Sequence, residues 1–185
     1  IELSQRDGPY NSFPNSPASK GVFQFNLWGV APSSRFNWDI IRSKMLKHGL
    51  RNSLLTAPMP TASSAQILGN TESFEPRTSN LYVRRVLSGE FVIINKYLQM
   101  TCQKLGMWDS SLINNIIEHK GSVQETNLPD EVKQCFKTTW ELSQKSIIDH
   151  AAARGAYIDQ SQSLNLYMAA PTHSKLTSMH FYGWK

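Results

Sequence analysis

Apolar residues recur at helical spacing in several parts of this chain. In Trp38–His48, Ile41, Met45 and His48 share a face. Asn37 before it reads as an N-cap and Gly49 after it as a stop. Tyr97–Leu105, closed by Gly106, has the same rhythm. Asp109 or Ser110 caps the next helix, whose stripe is Leu112, Ile113, Ile116 and Ile117 and whose end is Gly121. Pro129 suits a helix first turn. The longest helical pattern is Phe136–Arg154, with Phe136, Trp140, Ile147, Ile148 and Ala151 on its buried face, Glu141 and Lys145 four apart, and Gly155 at its end. Pro171-Thr172 opens a last helix carrying Leu176, Met179 and the terminal aromatics.

Other stretches change rhythm. Asn52–Ala57 is a short apolar run of the kind a buried strand shows. Leu81–Arg85 and Glu90–Asn95 predict two strands joined at Ser88-Gly89. Ala156–Ile158 and Ser163–Met168 are short strand candidates around Asp159-Gln160-Ser161-Gln162, a polar stretch that could line a barrel mouth. Ile1–Gln5 reads as a helix tail, and Arg6–Gly21, with Pro9, Pro14 and Pro17, as a loop. Val22–Val30 predicts an irregular aromatic segment, and Pro32–Phe36, Gly69–Asn80 and Val123–Leu128 predict connections. Strands alternating with helices predict an α/β class, helix-rich with short strands, in one domain over residues 1–185.

Composition narrows the function classes. Hydrophobic residues at 40% and charged residues at 18% of 185 fit a globular chain with a real core. The net charge of +5 comes from scattered basic residues apart from Arg84-Arg85, with no aromatic-laced basic run, so nucleic acid is not the expected partner. No stretch reaches the length of a membrane span, and the expected location is cytoplasmic. Cys102 and Cys135 form no CxxC or zinc pattern, which suits a reducing compartment. Both read as small buried hydrophobes. His48, His119, His150, His173 and His180 show no ligand spacing, so no metal site is expected; His180 is placed to face a core. The start at Ile1 and the end in HFYGWK predict a piece of a longer protein, one that self-associates or dissolves poorly when isolated.

The candidate chemistry lies in NSLLTAPMPTASSAQIL, Asn52 to Leu68. An apolar run is broken at Pro58-Met59-Pro60, and Thr61-Ala62-Ser63-Ser64 then opens a helix. First-turn N–H groups lack intrahelical partners and carry partial positive charge, so small and hydroxylated residues there suit an anion. The plain alternative is an N-cap at Thr61 with Ser63 and Ser64 solvated. Glu72 and Glu75 read as solvated loop acids, and Arg84-Arg85 as a structural ion-pair site or a phosphate contact. Tyr182 and Trp184 read as packing aromatics.

Four ordered motifs, APMPTASSAQILGNTESFEP, TSNLYVRRVLSGEF, RGAYIDQSQSLN and KLTSMHFYGWK, resemble the large catalytic subunit of class I ribonucleotide reductase of eukaryotic type. The resemblance runs from about Gly8 to Lys185. It implies the C-terminal part of a ten-stranded α/β barrel, in which Pro60, Thr61, Ala62, Ser63 and Ser64 hold the substrate diphosphate. It also implies reduction of ribonucleoside diphosphates by thiyl-radical chemistry for DNA synthesis. The catalytic cysteines and the radical-relay tyrosine pair match no position here, so these residues hold no catalytic group and bind no cofactor themselves. For the parent protein it implies ATP and dNTP effectors with Mg²⁺, a homodimer, a small subunit that supplies the radical, and thioredoxin or glutaredoxin as reductant. The alternatives are a non-catalytic nucleotide-phosphate module and an unrelated α/β barrel enzyme acting on a sugar phosphate.

Overall fold

Asparagine and aspartate set several helix starts in the computed structural model, which describes residues 1–185 apart from the side chain of Ala62. The helices are α1 (Glu2–Asp7), α2 (Gln24–Leu27), α3 (Trp38–His48), α4 (Ala62–Ile67), α5 (Lys96–Lys104), α6 (Ser110–Glu118), α7 (Asp130–Cys135), α8 (Gln144–Gly155) and α9 (His173–Trp184). The strands are β1 (Leu81–Val86) and β2 (Gly89–Ile94). Side-chain oxygens of Asn37, Asn95, Asp109 and Thr172 accept N–H bonds at the starts of α3, α5, α6 and α9. The chain divides into two compact units, one of Ile1–Pro60 with Asp149–Leu164 and one of Thr61–Ile148 with Asn165–Lys185.

In the first unit, α3 packs its buried Met45 inward, and Phe23, Phe25 and Trp38 form a ring cluster with centroids 4.9–5.6 Å apart. Arg42 reaches across, donating from Nε to Gly21 O at 2.9 Å and lying over the Phe23 ring. The buried Ser4 hydroxyl donates to His48 O at 2.7 Å, tying α1 to the end of α3. Gln162 donates to Ala151 O and accepts from Arg154, closing the turn after α8.

The second unit is built on α5 and α6. Leu98 and Cys102 meet Ile116, Val123 and Leu128, with Leu81, Met107, Trp108, Leu112, Val132 and Phe136 packed around them. Full burial of one such aliphatic side chain is worth about 1.5–3 kcal/mol. β1 and β2 pair antiparallel from Leu81 opposite Ile94 to Val86 opposite Gly89, within a residue of the predicted bounds. Arg85 and Glu90 face each other and form an exposed ion pair, the structural alternative for that arginine. Asn80 and Asn95, both buried, join the base of the hairpin to residues after α6 and α7.

Several expectations fail. Asn52–Ala57 is neither strand nor buried: Leu54 and Leu55 are 62% and 76% exposed. The predicted helix Phe136–Arg154 is interrupted, with α7 ending at Cys135, a 3-10 turn at Thr139–Glu141, and α8 starting at Gln144. Thr138 donates its N–H to Glu141 Oε2 at 2.7 Å, so Glu141 caps the turn and also accepts from Ser122 instead of pairing along a helix with Lys145. Lys145 lies over the Tyr182 ring. Ala156–Ile158 and Ser163–Met168 are coil; Asn165 and Tyr167 donate to the side chains of Glu75 and Gln144 where a strand would have used a backbone ladder. Val22–Val30, expected to be irregular, contains α2.

Candidate functional site

Residues 52–60 precede the candidate loop without regular secondary structure, exposed except at the half-buried Pro58. Leu55 and Thr56 donate their N–H groups to Asp159 Oδ2 at 2.8 and 3.0 Å. The Thr56 hydroxyl adds a third donor at 3.2 Å, and Asp159 N–H returns a bond to Thr56 O at 2.9 Å. One residue thus does for this run what a neighbouring strand would do. The sequence suggests a barrel mouth for Asp159, Gln160, Ser161 and Gln162; in the structure Asp159 and Gln162 bind this chain's own backbone.

Thr61 stands at the N-cap of α4, with φ −103° and ψ 39°, and accepts Ala65 N–H on its carbonyl at 2.7 Å. Its side chain makes no cap hydrogen bond, unlike those that start α3, α5, α6 and α9. The plain N-cap alternative therefore lacks its defining bond. Pro60, Thr61, Ser63 and Ser64 are exposed, and Ala65 behind them is buried. The first-turn N–H groups of a helix have no carbonyl one turn earlier. The side chain of Ala62 lies outside the described residues; its expected contribution is its backbone N–H. Ile67 and Leu68, at the end of this helix, are 84% and 71% exposed, whereas Ala65 is buried.

Glu75 departs from the expectation of a solvated loop acid: it is buried and accepts Asn165 N–H at 2.6 Å, whereas Glu72 is exposed. Burial alone would push the Glu75 carboxyl up, but the hydrogen bonds it accepts, led by that from Asn165, hold it below the ordinary carboxylate value. The neighbouring Tyr167 hydroxyl is pushed up by burial and by the charges of Glu75 and Glu72. A depressed carboxylate contributes stability that is present above its unfolded pKa and lost as pH falls through its folded pKa. Glu75→Gln is therefore expected to be less stable than the parent at neutral pH, and the difference to close on acidification. Urea unfolding between roughly pH 7 and pH 3 checks this. A difference that is constant over that range refutes it.

Cys102 is fully buried and its thiol is pushed up by desolvation, as a small hydrophobe would be. Cys135 is exposed at the end of α7, which corrects the expectation for that residue. His180 is exposed on α9 and does not face a core. Trp184 is 84% exposed, so it is not a packing aromatic within the second unit. No group of three or more His, Cys, Asp or Glu side chains able to hold a metal ion occurs among the described residues. No helix of the described residues is long and apolar enough to cross a membrane.

Residues 1–185 in full match the family model described as the ribonucleotide reductase barrel domain. The ribonucleoside-diphosphate reductase large subunit of Dictyostelium discoideum is 57% identical over 186 residues, which cover 100% of this chain and 21% of that protein. That of Caenorhabditis elegans is 54% identical, over 100% of this chain and 24% of that protein. That of Vaccinia virus is 55% identical, over 99% and 24%. The chain thus spans about a quarter of the length of the curated relatives it matches. Among solved structures, the Actinobacillus ureae class Id ribonucleotide reductase alpha subunit matches 75% of this chain and 26% of its own, at a TM-score of 0.61 and 35% identity.

Proposed function

This chain belongs to the ribonucleotide reductase barrel-domain family, and we propose that it supplies the loop, Pro60–Ser64, that holds the diphosphate of a ribonucleoside diphosphate substrate. The observation that carries this is the open start of α4. Its first-turn donors are left free by the Thr61 side chain, and the exposed hydroxyls of Thr61, Ser63 and Ser64 surround them. Backbone N–H groups at a helix start bind phosphate oxygens without a charged side chain. The parent protein reduces the ribose 2′-OH by thiyl-radical chemistry; neither Cys102, buried with a raised pKa, nor Cys135 takes part.

The same proposal extends to the parent protein. Residues 1–185 form the C-terminal part of its ten-stranded α/β barrel. It works in the cytoplasm as a homodimer with a radical-supplying small subunit, is re-reduced by thioredoxin or glutaredoxin, and responds to ATP and dNTP effectors with Mg²⁺ that bind elsewhere in the protein. A barrel enzyme of another family no longer competes, given 54–57% identity over the whole chain to large subunits of this one.

Proline substitution tests the loop. Ala62→Pro places proline at the first helical position, where it is best tolerated, and removes one donor. Ser63→Pro removes the next. Each is expected to weaken binding of a ribonucleoside diphosphate to the intact protein by about tenfold, or 1.4 kcal/mol. Ser63→Ala, which keeps the N–H, is expected to stay within about threefold. Equilibrium binding of CDP decides, and unchanged affinity in Ser63→Pro would refute the backbone account.

A further inference from the structure

We propose that Ser88 is a phosphorylation site for a protein kinase that selects basic substrates; the inference is independent of the loop reading above. Among the serines and threonines of the chain, only Ser88 has an arginine three residues before it, Arg85, and Arg84 stands one further back. Ser178 has Lys175 at the same spacing but lies inside α9. Ser88 shares with Leu87 the two-residue turn that joins β1 to β2. Both are exposed, Leu87 completely. The Ser88 hydroxyl enters no hydrogen bond among the described residues. The Ser79 and Ser122 hydroxyls of the same unit donate to Leu81 O and to Glu141.

Successive strand residues point to opposite faces, so Arg84 and Arg85 offer guanidinium groups on both sides of β1. Arg84 lies opposite Phe91 and has no ion pair among the described residues. Arg85 pairs with Glu90 at 2.5 Å, but both side chains are more than half exposed, and a pair of that kind is easily broken. A kinase cleft takes its acceptor in an extended segment. Arg84–Val86 is already extended, and no third strand holds β1 or β2 among the described residues. Entry requires parting Val86 from Gly89 and Arg85 from Glu90. A two-stranded hairpin is marginally stable by itself, so its tip opens readily. The other end stays anchored, where Leu81 packs against the core.

The step is a phosphoryl transfer from ATP. The Ser88 Oγ–P bond forms as the bond from the γ-phosphorus to the ADP oxygen breaks, the hydroxyl proton passes to the kinase's catalytic carboxylate, and ADP leaves. Residues 84–90 carry two arginines and one glutamate. A phosphoserine adds a charge of about −2, so the tip changes from basic to acidic and Arg85 gains a dianion that competes with Glu90.

The test uses the intact, natively folded parent protein, with Mg-ATP and the catalytic subunit of cyclic-AMP-dependent protein kinase as the probe. Peptide mass spectrometry is expected to find a phosphate on Ser88, and Ser88→Ala to remove it. Arg85→Ala is expected to lower kcat/KM for phosphorylation by about tenfold or more. Arg85→Lys keeps the charge but loses the planar fork, and is expected to lose about threefold or more; it also serves if Arg85→Ala does not fold. Glu90→Gln releases Arg85 and is expected to be phosphorylated at least as fast as the unsubstituted protein. No phosphate on Ser88 of the native protein, or phosphate there only after denaturation, overturns the site. Modification of Ser178 or another residue with Ser88 left bare overturns it too. Equal rates in the unsubstituted protein and the Arg85 variants do the same, because the basic pair would then select nothing.

Discussion

Asn80→Ala is expected to destabilise the second unit by about 2–4 kcal/mol, the cost of stranding one buried and one part-buried polar group. Asn80 is 2% exposed and uses every part of its amide. Its Nδ2 donates to Gly121 O at 3.0 Å and to Phe136 O at 2.8 Å, and its Oδ1 accepts from Asn95 Nδ2 at 2.9 Å. Its backbone adds a bond to Gly121 O at 3.1 Å and accepts Asn95 N–H at 2.8 Å. One side chain thus joins the start of β1, the start of α5, the turn after α6 and the end of α7. Truncation leaves the buried Asn95 Nδ2 and the part-buried Phe136 O without their partner, while Gly121 O keeps its backbone donor. Asn80→Asp discriminates between loss of these bonds and simple loss of packing. It preserves volume and the contact with Asn95, but turns a carboxylate oxygen toward two carbonyl oxygens. It is expected to cost at least as much as Asn80→Ala, read from the urea midpoint at constant slope. An Asn80→Asp variant as stable as the parent would show that the two donated bonds contribute nothing.

That hub was invisible in the sequence, and the reason is general to the molecule. Features fixed by neighbours along the chain were legible. Asn37 before α3 and Asp109 before α6 each act within a few residues and appear where the pattern put them, and the turn expected at Ser88-Gly89 falls one residue earlier, at Leu87-Ser88, with Gly89 already in β2. The break at residues 136–143 was also local and carried a signal that the apolar spacing of Phe136, Trp140 and Ile147 masked. Thr138-Thr139-Trp140-Glu141 is a hydroxyl residue followed three later by glutamate, the signature of a fresh helix start. What could not be read were polar contacts closed across long separations. Glu75 meets Asn165 over 90 residues and Asp159 meets Leu55 over 104, and neither has a local pattern. The loop Pro60–Ser64 was legible as a helix start, and from resemblance as a phosphate site. That the Thr61 side chain makes no cap bond, and that Leu55 and Thr56 bond the Asp159 carboxylate where a buried strand was expected, needed the folded chain.

Gly121→Ala is expected to cost about 3 kcal/mol or more, because space and backbone conformation both oppose a side chain there. α6 ends with Lys120 in the left-handed region at φ 55°, and Gly121 comes next at φ 89°. Its N–H closes the turn on Ile116 O at 2.7 Å, the long-range bond of a Schellman ending, and its carbonyl faces Asn80. A Cβ on Gly121 would overlap the Ser79 side chain and lie 2.9 Å from Asn80 N. Ser79 cannot turn away freely, since its hydroxyl donates to Leu81 O at 2.6 Å and accepts Leu81 N–H. Two variants separate the causes. Gly121→Asn tolerates a positive φ better than alanine but is larger, so if crowding dominates it is no more stable than Gly121→Ala. Ser79→Gly added to Gly121→Ala removes part of the overlap and is expected to recover some of the loss. Because the displaced atom is Asn80 N, Gly121→Ala combined with Asn80→Ala should cost less than the sum of the two, as neighbouring sites in one network do. Full additivity in urea unfolding would mean that the glycine and the asparagine support the unit independently, and the hub assigned to Asn80 would have to be drawn without Gly121.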